Sequence, residues 1–267
     1  MARPLAAALL ALALLSPARA LEDRFPDAAV AYLVAVDGRV LWARSPEKPL
    51  PPASLTKIMT ALLVLEHGGS PDEWLKVSPA AAKATGTWLG LRAGDEIQAS
   101  DALTAMLVSS ANDACQVLAE HVAGSAQAFV ASMNRRAAEL ELTATHFENP
   151  CGHDAPGHRS AARDLWRLTQ KALAYPEFRR VVALERAQVR TRRGRVLSVV
   201  TGNALLGRAR GATGVKSGFT PAAGKCLVAR AEREGKEVVI VLLGAPDRWW
   251  TAARMLEAAF EEAARGG

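Results

Sequence analysis

Pro51-Pro52-Ala53-Ser54-Leu55-Thr56-Lys57-Ile58-Met59-Thr60 is the stretch on which the reading of this 267-residue chain turns. Two prolines hold the backbone extended, and the residues that follow become helical in pattern, with Leu55, Ile58, Met59, Leu62, Leu63 and Leu65 at three- and four-residue steps. The pattern predicts a helix that opens at Ser54 and stops at His67-Gly68-Gly69. Residues three apart on a helix share a face, so the Lys57 amine can reach the Ser54 hydroxyl. A serine hydroxyl is a poor nucleophile until a base takes its proton, and a helix N-terminus favours the negative charge that develops. The same pair also suits an N-cap serine and a solvated helix lysine. A second Ser-x-x-Lys, from Ser45 to Lys48, falls in a proline-broken loop and carries no such chemistry. The remainder of the chain has to decide between these readings.

Half of the residues are apolar (50%), enough for one substantial core with a subdomain. Residues 1–20 have Arg3, an apolar run from Leu5 to Leu15 and a closing Ala18-Arg19-Ala20, the signature of a secretory signal peptide. The mature chain, residues 21–267, is then expected in the periplasm or outside the cell. No segment of it approaches the ~20 apolar residues of a membrane helix, so no membrane anchor is expected after cleavage. The mature chain keeps 31 basic and 27 acidic residues, a mild positive charge that suits an anionic polymer or a carboxylate. The basic residues form no run interleaved with aromatics, which argues against nucleic acid. Cys115, Cys151 and Cys226 lie far apart without Cys-x-x-Cys spacing, so neither zinc nor another metal is expected. One disulfide plus one thiol is compatible with export, and three small buried hydrophobes is the simpler expectation.

Taken in order, Ala28 to Ala43 reads as a strand hairpin turning at Asp37-Gly38. The Ser54 helix follows, then a glycine-punctuated stretch to Asp95. From Ser100 to Val122 a helical pattern is interrupted by Ser109-Ser110-Ala111-Asn112-Asp113, which places Ser110 and Asn112 on a connector between two helices. A helix spans Ala126 to Leu140, a long loop Phe147 to His158, and another helix Ala161 to Ala174. A strand pair is predicted within Ala187 to Val200, turning at Arg193-Gly194. Further strands cover Gly211 to Gly218, Lys225 to Glu232 and Val238 to Leu243, and Asp247 to Ala264 closes as a helix. Strands at both ends with helices between predict an α/β fold, an antiparallel sheet flanked by helices with a mostly helical subdomain at about residues 70–165.

Three short elements therefore occur in order: Ser54-x-x-Lys57 at a helix start, Ser110-x-Asn112 on a connector and Lys216-Ser217-Gly218 on a strand. The set resembles that of the penicillin-recognising serine enzymes. Over nearly all of the mature chain the wording is similar to the low-molecular-mass penicillin-binding proteins, the serine-type D-Ala-D-Ala carboxypeptidases. Leu107 to Ala114, Phe147-Glu148-Asn149-Pro150, Gly214 to Thr220, and His158 with Ser160 and Asp164 carry that likeness beside the Ser54 stretch.

The resemblance implies a β-lactamase/transpeptidase-like fold and a peptidoglycan stem peptide as substrate, with β-lactams as inhibitors and no cofactor. It also implies roles. Ser54 would be the nucleophile, Lys57 its neutral base, Ser110 a proton relay and Asn112 a substrate contact. Lys216, Ser217 and Gly218, with Phe219 giving a backbone N–H beside that of Ser54, would bind substrate; the Ser217 hydroxyl would take its terminal carboxylate, with Arg248 as a second carboxylate contact. The chain departs from the family's usual pattern at Ser217 (commonly Thr), at Lys225 (commonly a bulky aromatic) and at Cys151 (commonly His or Ser). A DD-endopeptidase would use the same machinery on cross-linked peptides. A β-lactamase of class A would need a Glu-x-x-Leu-Asn element that the chain lacks, and a penicillin-binding sensor would acylate without turnover.

Overall fold

A computed structural model describes residues 23–265, so the expected signal peptide lies outside the described residues. The chain opens with a hairpin, β1 (Ala31–Val36) and β2 (Arg39–Arg44), whose turn is Asp37-Gly38 as anticipated. A 3-10 turn over Ala53–Thr56 leads into α1 (Lys57–His67). Two short strands, β3 (Trp74–Lys76) and β4 (Glu96–Gln98), pair with each other and precede α2 (Ala99–Val108), α3 (Asn112–Ala123) and α4 (Ala126–Glu139). After the loop come α5 (Ala162–Leu173) and α6 (Pro176–Val182). The proline at the start of α6 suits a helix N-terminus, where no N–H is needed; the sequence pattern had not singled this helix out. The chain ends with the hairpin β5 (Arg186–Arg190) and β6 (Val196–Val200), then β7 (Ala212–Thr220), β8 (Gly224–Arg233), β9 (Lys236–Leu243) and α7 (Arg248–Arg265).

The main sheet is antiparallel in the order β2-β1-β9-β8-β7. Its centre is written in β9, Val238-Val239-Ile240-Val241-Leu242-Leu243, a run in which every residue is buried. Side chains alternate across a strand, so a strand covered on both faces can be apolar throughout. Val239, Val241 and Leu243 join Leu33 and the helical body in one core. Val238, Ile240 and Leu242 join Tyr32, Val34 and Trp42 against α7 in the other. On α7 the buried stripe is Ala252, Met255, Leu256 and Ala259, with Ala253 and Phe260 at its edge.

The cysteines require a correction. Cys115 on α3 and Cys151 in the loop after α4 form a disulfide, with Cα atoms 6.0 Å apart, and only Cys226 remains a buried thiol. A sequence separation of 36 hides this proximity in the sequence, because the loop folds back over α3 only through long-range contacts.

Candidate active site

The residues singled out in the sequence converge where the 3-10 turn, the α2–α3 connector, the loop after α4 and strand β7 meet. Ser54 lies within the 3-10 turn, half-buried, and Lys57 opens α1 one turn later. Lys57 Nζ is 3.3 Å from Ser54 Oγ, 2.7 Å from Asn112 Oδ1 and 2.5 Å from the carbonyl of Cys151. The solvated-lysine alternative is excluded by burial, since Lys57 is 0% exposed. Burial, and then the charge of Lys216, push its pKa well below the ordinary lysine value. A neutral amine has a lone pair to accept the serine proton, which is the condition a general base must meet.

Asn112 proves to be the first residue of α3 rather than part of the connector. Its amide is anchored at both ends, with Oδ1 accepting from Lys57 and Nδ2 donating to the Thr85 carbonyl at 2.6 Å. Next to it the buried carboxylate of Asp113 accepts from the backbone N–H groups of Leu89, Gly90, Leu91 and Ala114, which fixes the 87–91 segment beside the connector. Ser110 sits on the connector with φ +65, a left-handed conformation uncommon for serine. Among the described residues its hydroxyl makes no side-chain hydrogen bond to Ser54 or Lys57.

Strand β7 forms the opposite wall. Lys216 is buried, its Nζ donates to the Ser217 carbonyl at 2.9 Å, and burial with the nearby charge of Arg248 lowers its pKa to about 7. The Ser217 hydroxyl donates to the carbonyl of Gly202 at 3.0 Å. At Gly218 a Cβ would stand 2.9 Å from Ser54 N, so only glycine lets the strand come this close to the serine. Phe219 is exposed at the rim. Arg248, at the start of α7, donates from Nη1 to the carbonyls of Gly218 (2.5 Å) and Cys226 (3.3 Å), while among the described residues its buried Nε has no partner. Among the described residues no His/Cys/Asp/Glu cluster could hold a metal.

Residues 24–247 match the family described as D-alanyl-D-alanine carboxypeptidase, peptidase S11. This chain belongs to that family. The chain is 32% identical over 244 residues to D-alanyl-D-alanine carboxypeptidase DacF of Bacillus subtilis, an alignment covering 88% of this chain and 63% of that protein. It is 33% identical over 246 residues to D-alanyl-D-alanine carboxypeptidase DacB2 of Mycobacterium tuberculosis, covering 88% and 84% of the two chains. Among solved structures, the Streptomyces K15 DD-transpeptidase superposes with a TM-score of 0.83 at 27% identity, covering 88% of this chain and 97% of that one. The S11 chain thus spans a little under two thirds of the Bacillus relative and most of the mycobacterial one.

Several of the contacts that build this site carry no signal in a single sequence. Thr60 Oγ1 donates to the Pro150 carbonyl at 2.6 Å, Lys57 to that of Cys151, and Thr56 Oγ1 lies 2.8 Å from His158 Nε2. Thr56 at the end of the 3-10 turn and Lys57 and Thr60 in the first turn of α1 therefore hold the 147–158 loop in place. Ala53 has φ +50, a conformation costing about 1–3 kcal/mol for a residue with a side chain, and the surrounding contacts hold it there. Positive φ at an alanine cannot be read from residue type.

Proposed function

We propose that the protein is an exported serine-type D-Ala-D-Ala carboxypeptidase that removes the terminal D-alanine from peptidoglycan stem pentapeptides. The observation that carries this reading is the buried, charge-depleted Lys57 amine held against Ser54 beneath the second amine of Lys216. Ser54 Oγ attacks the carbonyl carbon between the two D-alanines as Lys57 takes its proton. The tetrahedral oxyanion is held by the backbone N–H groups of Ser54 and Phe219, an arrangement worth a few kcal/mol in comparable sites. Ser110 passes a proton to the departing amine, D-alanine leaves, and water hydrolyses the ester to regenerate Ser54.

Asn112 keeps Lys57 in place and has one amide hydrogen left for the substrate backbone. Lys216, Ser217 and Gly218 line the strand against which the substrate lies, and Arg248 supplies positive charge for its terminal carboxylate. The helical part, at about residues 70–165, acts as the wall facing that strand. Residues 1–20 act as the export signal, which puts the enzyme in the periplasm or outside the cell, where its polymer is. No described helix is long and apolar enough to cross a membrane.

Incubation with a muramyl pentapeptide, beside a cross-linked peptide dimer, tests the reading. Many equivalents of free D-alanine per enzyme are expected from the pentapeptide. One equivalent or none indicates a protein that acylates without turnover, and faster cleavage of the dimer indicates an endopeptidase.

A further inference from the structure

His158 belongs to none of the three motifs, yet it is 5% exposed and both of its ring nitrogens are engaged. Nδ1 lies 2.9 Å from the backbone N of Glu148, a group that can only donate, so Nδ1 accepts. A neutral imidazole that accepts at Nδ1 carries its proton on Nε2. Nε2 is 2.8 Å from Thr56 Oγ1, and it therefore donates to that hydroxyl. The Thr56 hydroxyl proton in turn goes to the carbonyl oxygen of Ala53, also at 2.8 Å. The direction of every bond in the series is fixed, and the series ends on one peptide group.

That peptide joins Ala53 to Ser54. A peptide is planar and trans, so orienting its carbonyl orients the Ser54 N–H on the opposite side. Two close approaches frame it. A Cβ at Gly152 would stand 2.0 Å from the Ala53 oxygen, so the loop is packed onto the carbonyl side. A Cβ at Gly218 would stand 2.9 Å from the Ser54 nitrogen, so strand β7 lies on the N–H side. Among the described residues the Ser54 N–H makes no backbone hydrogen bond outside the regular elements, as expected for the first turn of a helix.

We propose that His158 is a positioning residue which, through Thr56, aims the Ser54 N–H at the oxyanion formed during acylation. The proposal rests on Ser54 being the nucleophile. The arrangement also works at neutral pH, because burial and the neighbouring His146 and His153 outweigh Asp154 and keep the ring neutral. A protonated ring would turn Nδ1 into a donor facing the Glu148 N–H and break the series at its first bond.

The test uses the full chain and a labelled penicillin, separating the pre-covalent dissociation constant from the acylation rate constant. Thr56→Val removes the hydroxyl at nearly constant volume, Thr56→Ser restores it, and His158→Phe keeps a ring without hydrogen bonds. The expected result is a 10- to 100-fold fall in the acylation rate constant for Thr56→Val and for His158→Phe, below the 10²- to 10³-fold loss seen when an oxyanion donor is removed outright. Pre-covalent binding should change less than about threefold, Thr56→Ser should keep most of the rate, and the double variant should be no slower than the worse single one. Should His158→Phe fail to fold, the Thr56 pair decides alone. Wild-type acylation by a folded Thr56→Val overturns the proposal, as does an equal loss in Thr56→Ser or a loss confined to pre-covalent binding. Absence of any penicillin adduct on wild-type Ser54 would instead remove the reading on which the proposal stands.

Discussion

The Lys57 amine lies closer to the carbonyl of Cys151, at 2.5 Å, than to the hydroxyl of Ser54, at 3.3 Å. Cys151 is bonded to Cys115, so the carbonyl that accepts from Lys57 is itself tied to α3. Closing a loop of 36 residues is worth about 3–4 kcal/mol on a chain-entropy estimate. The variant Cys115→Ala/Cys151→Ala should lose roughly 2–4 kcal/mol in denaturant unfolding, and dithiothreitol should lower wild-type stability to a similar level. Acylation should slow as well, because Lys57 loses a fixed partner. Unfolding curves that coincide with and without reductant would show that the bond contributes nothing.

Replacement of Lys57, the proposed base, should separate its chemistry from the fold. Lys57→Ala is expected to lower the acylation rate constant by more than about 10²-fold while far-ultraviolet circular dichroism is retained. Ser54→Ala should abolish covalent labelling. A Lys57→Ala variant that labels at the wild-type rate would assign the proton transfer to another group.

The pH dependence follows from the two amines. On the proposed mechanism Lys57 acts as a neutral amine, so activity should rise with pH until Lys216, with a pKa lowered to about 7, loses its positive charge. A bell-shaped kcat/KM with an alkaline limb near pH 7 is expected on a carboxylate-terminated peptide. Arg248 is the charge that depresses Lys216 after burial, so Arg248→Ala should move that limb to higher pH. An unmoved limb would assign it to a different group.

Arg248 offers a second, independent measurement. Arg248→Ala should reduce kcat/KM on the pentapeptide by roughly 10- to 100-fold, the scale of one charge-assisted hydrogen bond to a carboxylate. A substrate with an amidated C-terminus should be affected far less. Because Nη1 holds the Gly218 carbonyl, equal losses on both substrates would show that the arginine acts by bracing β7.

Stability at low pH should report on His158. Its pKa falls from 6.5 to about 4 in the fold, chiefly by burial, so the folded state disfavours protonation. The unfolded chain takes up the proton first as pH drops below 6.5, and the folded state loses roughly 3 kcal/mol relative to it by about pH 4. His158→Asn should flatten that part of the stability profile. A profile unchanged by the substitution would assign the loss to other groups.

The features legible in the sequence were those written by periodicity and by short contiguous motifs. The β9 run, the Asp37-Gly38 turn and the helix after Pro52 all arise from local pattern, although the α-helix opens at Lys57 and Ser54 lies in the 3-10 turn before it. Ser54, Lys57, Asn112 and Lys216 could be singled out as candidates because each stands in a short contiguous motif, and the fold brings the motifs together. His158 and Thr56, 102 residues apart, and the disulfide between Cys115 and Cys151 depend on how the 147–158 loop folds back onto α1 and α3. A single sequence encodes that return in packing, and no residue type announces it.

The pairing of β1 with β9 sets the order in which the molecule can come together. Ala31 meets Leu243, and Val36 meets Val238, so the sheet is closed by residues separated by nearly the whole chain. Until β9 has been made, the β1–β2 hairpin has no sheet to join, and an isolated hairpin is marginal in water. Contacts of such large sequence separation are slow to form, because the loop-closure entropy is met before the contact rewards it. The scaffold beneath Ser54 is therefore a late product of assembly. A chain stopped before residue 236 should remain open to proteases whatever helices it has already formed.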